Sequence, residues 1–594
     1  MESFEPYLEI AIRAARAGGD LLRADFHRPE GPRGKGEKAP ADTEAEQVIR
    51  GILLGGGGEW GFLGEETSPV PGAPGAPIWV VDPNDGTRDY LKGRRGSSVS
   101  VALVAEGRPV LGVVHPFCYP DDKGVIYSAV VGREGVFRDG VPVSSKPPER
   151  LTDTDVVLVS SGGDRAARSN LMCTKPARVM SIPSIAHRLA KVAAGEGSAT
   201  TSLHSPQTWD FAAGHCLILA AGGVVLDQNG NEPVYDDKAG GSMPRLFAGS
   251  RRVALELSTR NWDLAFRAER DTAMPIVRIR KGGAVADPAL LSRAQGAFLG
   301  HLVGSAFGAL FCEGKESALA HKLDLASIRS PALKGRRSAG QLGATGELAV
   351  ATARSLIGLA SDARSMGRVY SNWVASMPLD GDRAIEAATK GQPLADSRSA
   401  SALARVTPMA LWGHEAEPVV LAAAVRTNTA LTHTSPVAGD ASCVLAITLQ
   451  AVLEGQDPAR AIETAHSFAR RSGLAPTVIE AIVGSMSPLG NSREPGEPPN
   501  AVKALRSVLF QLASARSYDE AVEAAIDSSP YSDALPALVG SLAGARFGRD
   551  GIRPHLRRLV LSCRPMEGLS PQARPSAYWA TDALAMAEAL LTAR

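Results

Sequence analysis

The sequence predicts a multidomain protein with an α/β first half and an all-α second half. Three observations carry this. The chain has 594 residues, more than a single hydrophobic core organises. Short apolar runs separated by Gly and Pro turns crowd its first half. From about Asp287 onward, helical stretches rich in Ala and Leu replace them.

The elements follow in order. Glu5 to His27 sets Leu8, Ile10, Ala11, Ala14, Ala15, Leu21 and Leu22 at helical spacing. Gly31 to Ala41 is a Gly/Pro/Lys loop. Asp42 to Leu54 reads as a second helix with Asp42 as its N-cap. Pro69 to Pro77 is another loop. Strand-like runs follow at Ile78 to Val81, Ser97 to Ala105, Pro109 to His115, Gly124 to Val131 and Val156 to Ser160. Turns such as Glu106-Gly107 separate them. Ser184 to Ala194 and Asp210 to Ala221 read as helices, and Gly222 to Asp227 as a strand leaving a glycine turn. In the second half the helical stretches are Ala289 to Phe311, Gly346 to Ala360, Pro418 to Leu431, Ala441 to Glu454, Pro458 to Ser472, Ala501 to Ala513, Ser517 to Ser528, Ala534 to Phe547 and Ser576 to Thr592. Ser492 to Asn500 is a Pro/Glu loop. The domains expected are 1–270 and 287–594, joined by a linker over 271–286 in which Met274 to Lys281 forms a short strand. No repeat of fixed period runs through the chain.

Composition narrows the function. Net charge is +1, which excludes a strong nucleic-acid field or a polybasic membrane patch. The six cysteines are scattered without a C-x-x-C pair, against a disulfide framework or zinc site and in keeping with a reducing compartment. The acidic N-terminus lacks the apolar stretch of a secretory signal. Apolar runs such as Leu217 to Leu226 are too short to span a bilayer. A cytoplasmic protein is expected.

The chemistry concentrates at Ile78-Trp79-Val80-Val81-Asp82-Pro83-Asn84-Asp85-Gly86-Thr87. An apolar strand ends here in two carboxylates, with a backbone carbonyl at Asn84 between them. Glu65 follows a short apolar stretch, so a neighbouring strand brings it alongside. Asp210 opens a helix and turns its carboxylate toward the same cleft. Hard oxygen donors of this kind suit Mg²⁺ with a phosphate group. The Gly86-Thr87 turn opening a helix offers free N–H groups, a seat for phosphate. Taken singly, an Asp-x-x-Asp-Gly is a turn and Glu65-Glu66 a solvated loop; their joint occurrence carries the reading. Trp209 and Cys216 read as packing residues, and His204 and His215 as rim or structural residues.

Gly64-Glu65-Glu66, Asp82-Pro83-Asn84-Asp85-Gly86-Thr87 and Trp209-Asp210-Phe211-Ala212-Ala213-Gly214 resemble the inositol monophosphatase family in motif, order and spacing, over about Phe4 to Phe266. The resemblance implies a layered αβαβα sandwich and a Mg²⁺-dependent, lithium-sensitive phosphomonoesterase using two or three ions. It implies Glu65, Asp82, Asp85, Asp210 and the Asn84 carbonyl as metal ligands, and Asp42 as the acid paired with Thr87. Catalysis would be attack by a metal-activated water whose proton passes to Thr87 and Asp42, with Glu65 in the catalytic set. Gly86, Thr87 and Asp210 would hold substrate. Departures lie in the substrate pocket. Lys38-Ala39-Pro40-Ala41 replaces the usual Val-Thr pair, and either Lys35 or Lys38 stands for the loop lysine. Leu203 replaces an acid that binds inositol hydroxyls, and Pro183-Ser184 replaces a Gly-Ser pair.

Arg293 to Gly308 resembles the opening helix of the ADP-ribosylglycohydrolase family, followed in order by Ala404 to Met409, Thr432-His433 and Asp533 to Ala545. The resemblance implies an all-helical, ADP-ribosylglycohydrolase-like domain. Its metal acids are depleted. Ser305 stands in the Gly-Asp-Ala motif, Gly343-Ala344-Thr345-Gly346 in the Thr-Asp-Asp-Thr motif, Ser399-Ala400-Ser401 in the Gly-Asn-Gly motif, and Tyr531 beside the one retained acid, Asp533. Glu313 and Glu347 are the other acids at hand. A dimetal site is not expected here.

The function expected is therefore a phosphomonoesterase acting on a small sugar or nucleotide/nucleoside monophosphate. The alternatives are a nucleotide- or ADP-ribose-binding regulatory protein and an ADP-ribosyl hydrolase with an atypical site. The partner expected is a small phosphate ester, with no nucleic-acid polymer and no membrane. A homodimer is an open expectation.

Overall fold

Alternation along its strands divides the N-terminal unit into three hydrophobic cores. The computed structural model describes all residues except 1–2, 57–58, 144, 236–240, 268–275, 314–336, 359–360, 487–499, 530–531 and 594. The chain forms two compact units, Met1–Met274 with Arg278–Ala286, and Asp287–Arg594 with Pro275–Val277. In the first, helices α1 (Glu5–Phe26) and α2 (Pro40–Gly55) precede strands β1 (Gly61–Gly64) and β2 (Ile78–Asp85). After the one-turn helix α3 (Thr87–Tyr90) come β3 (Ser98–Ala105), β4 (Arg108–His115), β5 (Tyr127–Val130), β6 (Val136–Arg138) and β7 (Val141–Val143). These seven strands form one sheet in sequence order, β1 and β2 parallel and the rest antiparallel.

The chain continues through β8 (Val156–Val159), α4 (Ala167–Thr174), β9 (Arg178–Ser181), α5 (Ile185–Ala193), β10 (Ala199–Ser202), α6 (Thr208–Ala220), β11 (Val224–Leu226), β12 (Leu246–Gly249), α7 (Arg251–Ser258) and α8 (Asp263–Arg267). Its five strands make a second sheet in the order β11-β12-β10-β8-β9.

Side chains one apart on a strand point to opposite faces. Val99, Val101 and Leu103 of β3 therefore join a core with α1 and α2, while Ala102 and Val104 join a core with α5 and α6. Val156 and Leu158 of β8 face that middle core, and Val157 faces a third, with Val253, Leu257 and Trp262. Helix, sheet, helix, sheet, helix is the order that results, so the layered αβαβα sandwich is the fold. Gly112 of β4 lets α6 lie close: a Cβ there would stand 2.4 Å from the Ala213 carbonyl oxygen.

Several boundaries differ from expectation. α2 starts at Pro40, so Asp42 sits inside its first turn instead of capping it. Proline is well placed at a first helical position, and Asp42 spends its carboxylate elsewhere. β2 runs on to Asp85. Strands β6, β7, β9, β10 and β12 carry weak alternation or polar residues and escaped the sequence reading. Residues 276–280 form no strand, and the first two positions of that expected strand lie outside the described residues.

The second unit is helical throughout its described residues. Its longest helix, Pro288–Glu313, packs antiparallel on Ala534–Phe547 through a stripe of small residues. A Cβ on Gly296, Gly300 or Gly304 would lie 2.1–2.2 Å from the carbonyl oxygen of Gly544, Gly540 or Pro536. Two stretches, Pro288–Cys312 and Pro436–Leu453, are long and apolar enough to cross a membrane, yet both are mostly buried inside the fold. They are core helices of this unit. The expected helix from Ser576 is broken: a short turn at Ser576–Tyr578 precedes the helix Ala583–Thr592. Helices at Ala363–Ala375, Arg383–Thr389, Val406–Trp412, Pro476–Gly484 and Pro554–Leu561 were not expected. Of the loop expected over 492–500, only Asn500 is described, and it caps the following helix through Lys503 N.

Candidate active site

β2 delivers the acids. Its apolar residues lock it between two cores, and the register slips between Asp82 and Asp85. That extra residue kinks the strand end, as a β-bulge does, and turns both carboxylates to one side. Gly86 then adopts φ +104°, a conformation natural to glycine, and the chain turns into α3. Asp210 arrives from the other direction as the third residue of α6, where its Oδ2 accepts the Gln207 N–H at 2.8 Å. One oxygen each of Asp82, Asp85 and Asp210 lies within 4.8 Å of the others.

Each acid is held in place. Asp82 Oδ1 accepts Asn84 N–H at 2.8 Å. Asp85 Oδ2 accepts the Ser184 hydroxyl at 2.6 Å and Ala186 N–H at 2.7 Å, at the opening turn of α5. Glu65 follows β1, whose parallel pairing with β2 sets Gly64 against Val81. As a residue it is exposed, but its carboxyl is hydrogen-bonded to Asp82 and crowded by further acids. It stands beside the three-acid group, not within it.

Asp42 joins from α2. Its Oδ1 accepts the Asn84 side-chain N–H at 2.9 Å, and its Oδ2 lies 2.9 Å from Thr87 Oγ1. The same hydroxyl lies 2.9 Å from the Asn84 carbonyl oxygen. The structure thus brings Asp42, Glu65, Asp82, Asn84, Asp85, Thr87 and Asp210 together at one end of the first sheet.

Electrostatics mark this place. Burial, then the charges of Glu65, Asp85 and Asp210, push the Asp82 carboxyl well up. Asp210 is raised by burial and by Asp85. Burial raises Asp85 too, opposed by its bonds from Ser184 and Ala186 and by the charge of Arg188. Burial lifts Glu65 to about 7, and lifts Asp42 to about 7 against the bonds from Asn84 and Thr87. Acids this close cannot all ionise without a cation. The donor set is entirely oxygen, which fits a hard divalent ion.

Two features were not legible in the sequence. Glu46, fully buried one turn beyond Asp42, accepts Glu66 N–H at 2.8 Å and Thr67 N–H at 2.7 Å, fixing the loop that carries Glu65. An Asp and a Glu four apart on a helix were its only signal. His27, Cys118 and Asp122 also meet within 4.8 Å. There Asp122 Oδ1 is shared by His27 Nε2 at 2.7 Å and Arg95 Nη1 at 2.5 Å, so side chains of the protein already occupy that carboxylate. Leu203 packs against the outermost core, and His215 is bound to the Tyr235 hydroxyl inside the fold. Trp209 packs on the middle core and Cys216 lies within it.

The second unit uses its polar residues differently. Asp533 Oδ2 accepts the Ser305 hydroxyl at 2.6 Å and Thr345 N–H at 3.0 Å, and its Oδ1 accepts the Thr345 hydroxyl at 2.9 Å. Glu347 is clamped by Arg574 through two 2.7 Å bonds and accepts Trp373 Nε1–H at 2.8 Å. Both acids are committed within the protein. Tyr531 and the side chain of Glu313 lie outside the described residues.

Comparison with known proteins agrees with this division. Residues 3–265 match the inositol monophosphatase family and residues 286–592 the ADP-ribosylglycohydrolase family. Inositol monophosphatase 2 of Solanum lycopersicum is 29% identical over 242 residues, 38% of this chain and 89% of its own. Inositol-1-monophosphatase of Mesorhizobium japonicum is 31% identical over 243 residues, 39% of this chain and 88% of its own. Nus factor SuhB of Escherichia coli is 28% identical over 239 residues, 38% and 86% respectively. Among solved structures, extragenic suppressor protein suhB from Bartonella henselae is 25% identical, with a TM-score of 0.35, covering 44% of this chain and 98% of that one. The chain belongs to the inositol monophosphatase family through its N-terminal unit and to the ADP-ribosylglycohydrolase family through its C-terminal unit.

Proposed function

We propose that the N-terminal domain, 1–270, is a Mg²⁺-dependent phosphomonoesterase acting on a small sugar or nucleotide/nucleoside monophosphate. Membership of the inositol monophosphatase family supports a metal-dependent phosphatase of phosphate esters. The observation that carries the reading is the convergence of Asp82, Asp85 and Asp210. These acids, with Glu65 and the Asn84 carbonyl, would hold two or three ions. Bound Mg²⁺ supplies positive charge that offsets the charge of the phosphoryl group in transfer.

The protein's own residues do the rest. Gly86 and Thr87 present backbone N–H groups where the phosphate sits. Thr87 Oγ1 takes the proton of the attacking water as its own proton passes to Asp42 Oδ2, 2.9 Å away. Leu203, turned to a core, offers no carboxylate to inositol hydroxyls, which supports a substrate other than inositol phosphate.

In the C-terminal domain, 287–594, joined through 271–286, the commitment of Asp533 and Glu347 to internal bonds supports a helical module without dimetal hydrolysis. The test is phosphate release from a panel of sugar and nucleotide monophosphates with Mg²⁺. Wild type should release phosphate, and Asp85→Asn at least about 100-fold less. Equal release by both would end the reading.

A further inference from the structure

Arg188 is a charge buried behind the acids of the candidate active site. It stands on α5, one turn beyond Ser184, and only 2% of it is exposed. Its Nη1 donates to the Ile182 carbonyl at 2.8 Å and to the Pro183 carbonyl at 3.1 Å, and its backbone N–H donates to the Ser184 carbonyl at 3.1 Å. Its Nε is buried and meets no acceptor. Among the described residues no carboxylate forms an ion pair with it.

Two threads lead from Arg188 to Asp85. The first is the Ser184 turn that it braces. Ser184 donates its hydroxyl to Asp85 Oδ2 at 2.6 Å, and Ala186 N–H reaches the same oxygen at 2.7 Å. The second is charge. Burial pushes the guanidinium down to about 10 against the charges of Asp85 and Asp210, so it stays positive at neutral pH. Its field in turn opposes the effect of burial on Asp85.

Bracing two carbonyls needs N–H donors but no charge. A buried cation is costly unless something compensates it. Arg95, another buried arginine of this unit, grips Asp122 directly. Arg188 has instead the field of the acids across the Ser184 turn. Those acids crowd one another, and the charge of each disfavours ionisation of the next. A fixed positive charge at their back eases that repulsion while no ion is bound. The same charge repels an arriving divalent ion.

We propose that Arg188 is a positioning residue of the metal site, a resident counter-charge that keeps Asp85 and its neighbours assembled when no ion is bound and holds Mg²⁺ affinity down. This role rests on the metal reading of the N-terminal unit. A plain strut would act in the opposite direction: its loss would loosen Ser184 and Asp85 and weaken the grip on the ion.

The test uses the full chain stripped of divalent ions, with Mg²⁺ alone as the probe and calorimetry as the readout. Arg188→Gln keeps an N–H for the carbonyls and loses the charge, whereas Arg188→Lys keeps the charge. Arg188→Gln should bind Mg²⁺ at least about tenfold more tightly than wild type, and Arg188→Lys within about twofold of it. In EDTA, Arg188→Gln should melt below both wild type and Arg188→Lys, and saturating Mg²⁺ should narrow that gap. Should Arg188→Gln be unfolded in EDTA, Mg²⁺ should fold it; a variant still unfolded in Mg²⁺ would make Arg188 a strut and overturn the proposal. Mg²⁺ affinity in Arg188→Gln equal to or weaker than wild type, or tightened equally in Arg188→Lys, would overturn it too. Absence of Mg²⁺ binding by wild type would remove the metal reading and this role with it.

Discussion

Ser305 Oγ donates to Asp533 Oδ2 at 2.6 Å, joining residues 228 positions apart in the chain. Ser305 Oγ also receives the N–H groups of Gly346 at 2.9 Å and Gly343 at 3.2 Å. A position that resembles a metal acid is thus a hydroxyl, and the remaining acid is tied to it. Hydrogen bonds replace what an ion would do: they hold three helices at one point. Ser305→Ala leaves two N–H groups and a carboxylate oxygen short of a partner in a buried place. It should destabilise the chain by about 1–3 kcal/mol, read by urea unfolding. A change below a few tenths would show that the cluster is not a structural joint.

The same acid gives a pH signature. Burial, helped by the charge of Asp380, raises Asp533 to about 6 from an ordinary 3.8, against the bonds from Ser305 and Thr345. The folded state therefore holds this proton more tightly than the unfolded state. Its contribution to stability is complete below about 4 and is lost as pH rises through about 6. The loss amounts to about 3 kcal/mol, from roughly two units at 1.36 kcal/mol each. Asp533→Asn has nothing to titrate. The difference in unfolding free energy between wild type and Asp533→Asn should shift between pH 4 and 7 in the variant's favour as pH rises. A difference independent of pH would sink this assignment.

Glu46 acts on the metal site at one remove. Its two oxygens fix the N–H groups of Glu66 and Thr67, and a Cβ on Gly64 would strike it at 2.3 Å. The loop bearing Glu65 is therefore set by α2. Glu46→Gln keeps the shape but turns an N–H toward one of those donors. Mg²⁺ needed for half-maximal phosphate release should rise about 10- to 100-fold, the usual cost of losing a supporting partner. Calorimetric Mg²⁺ affinity should fall by the same factor. An unchanged Mg²⁺ requirement would make Glu46 a packing residue only.

What the sequence made legible follows from how local each signal is. Asp82, Asp85, Gly86 and Thr87 sit on one strand and its turn, so their convergence needed only strand geometry. Asp210 lies 125 residues from Asp85, so its place at a helix start offered it to the cleft only weakly, and the order of the motifs strengthened the reading. Asp42 was found by motif but misplaced as an N-cap, since its partners Asn84 and Thr87 are tertiary. β10, Ala-Thr-Thr-Ser, is buried although its side chains are small and polar, and it showed no apolar alternation. Glu46 and Arg188 differ from exposed helix charges only in burial, which no local pattern reveals.

The glycine stripe of Pro288–Glu313 gives a prediction of opposite signs for one substitution. At Gly300 an added Cβ would stand 2.2 Å from the Gly540 carbonyl oxygen, a backbone atom that cannot swing away. The two helices touch through their main chains here, and the Tyr518 hydroxyl binds the Gly300 carbonyl at 2.8 Å, fixing the helix further. Gly300→Ala must push the pair apart along its length, and should cost about 3 kcal/mol or more. Gly51, on the exposed face of α2, meets nothing within 4 Å of an added Cβ. Gly51→Ala removes backbone freedom from the unfolded chain and should stabilise by about 0.5–1 kcal/mol. Urea unfolding of both variants compares them directly. Tolerance of alanine at Gly300 would mean that the helices do not approach this closely, and the antiparallel contact would have to be redrawn.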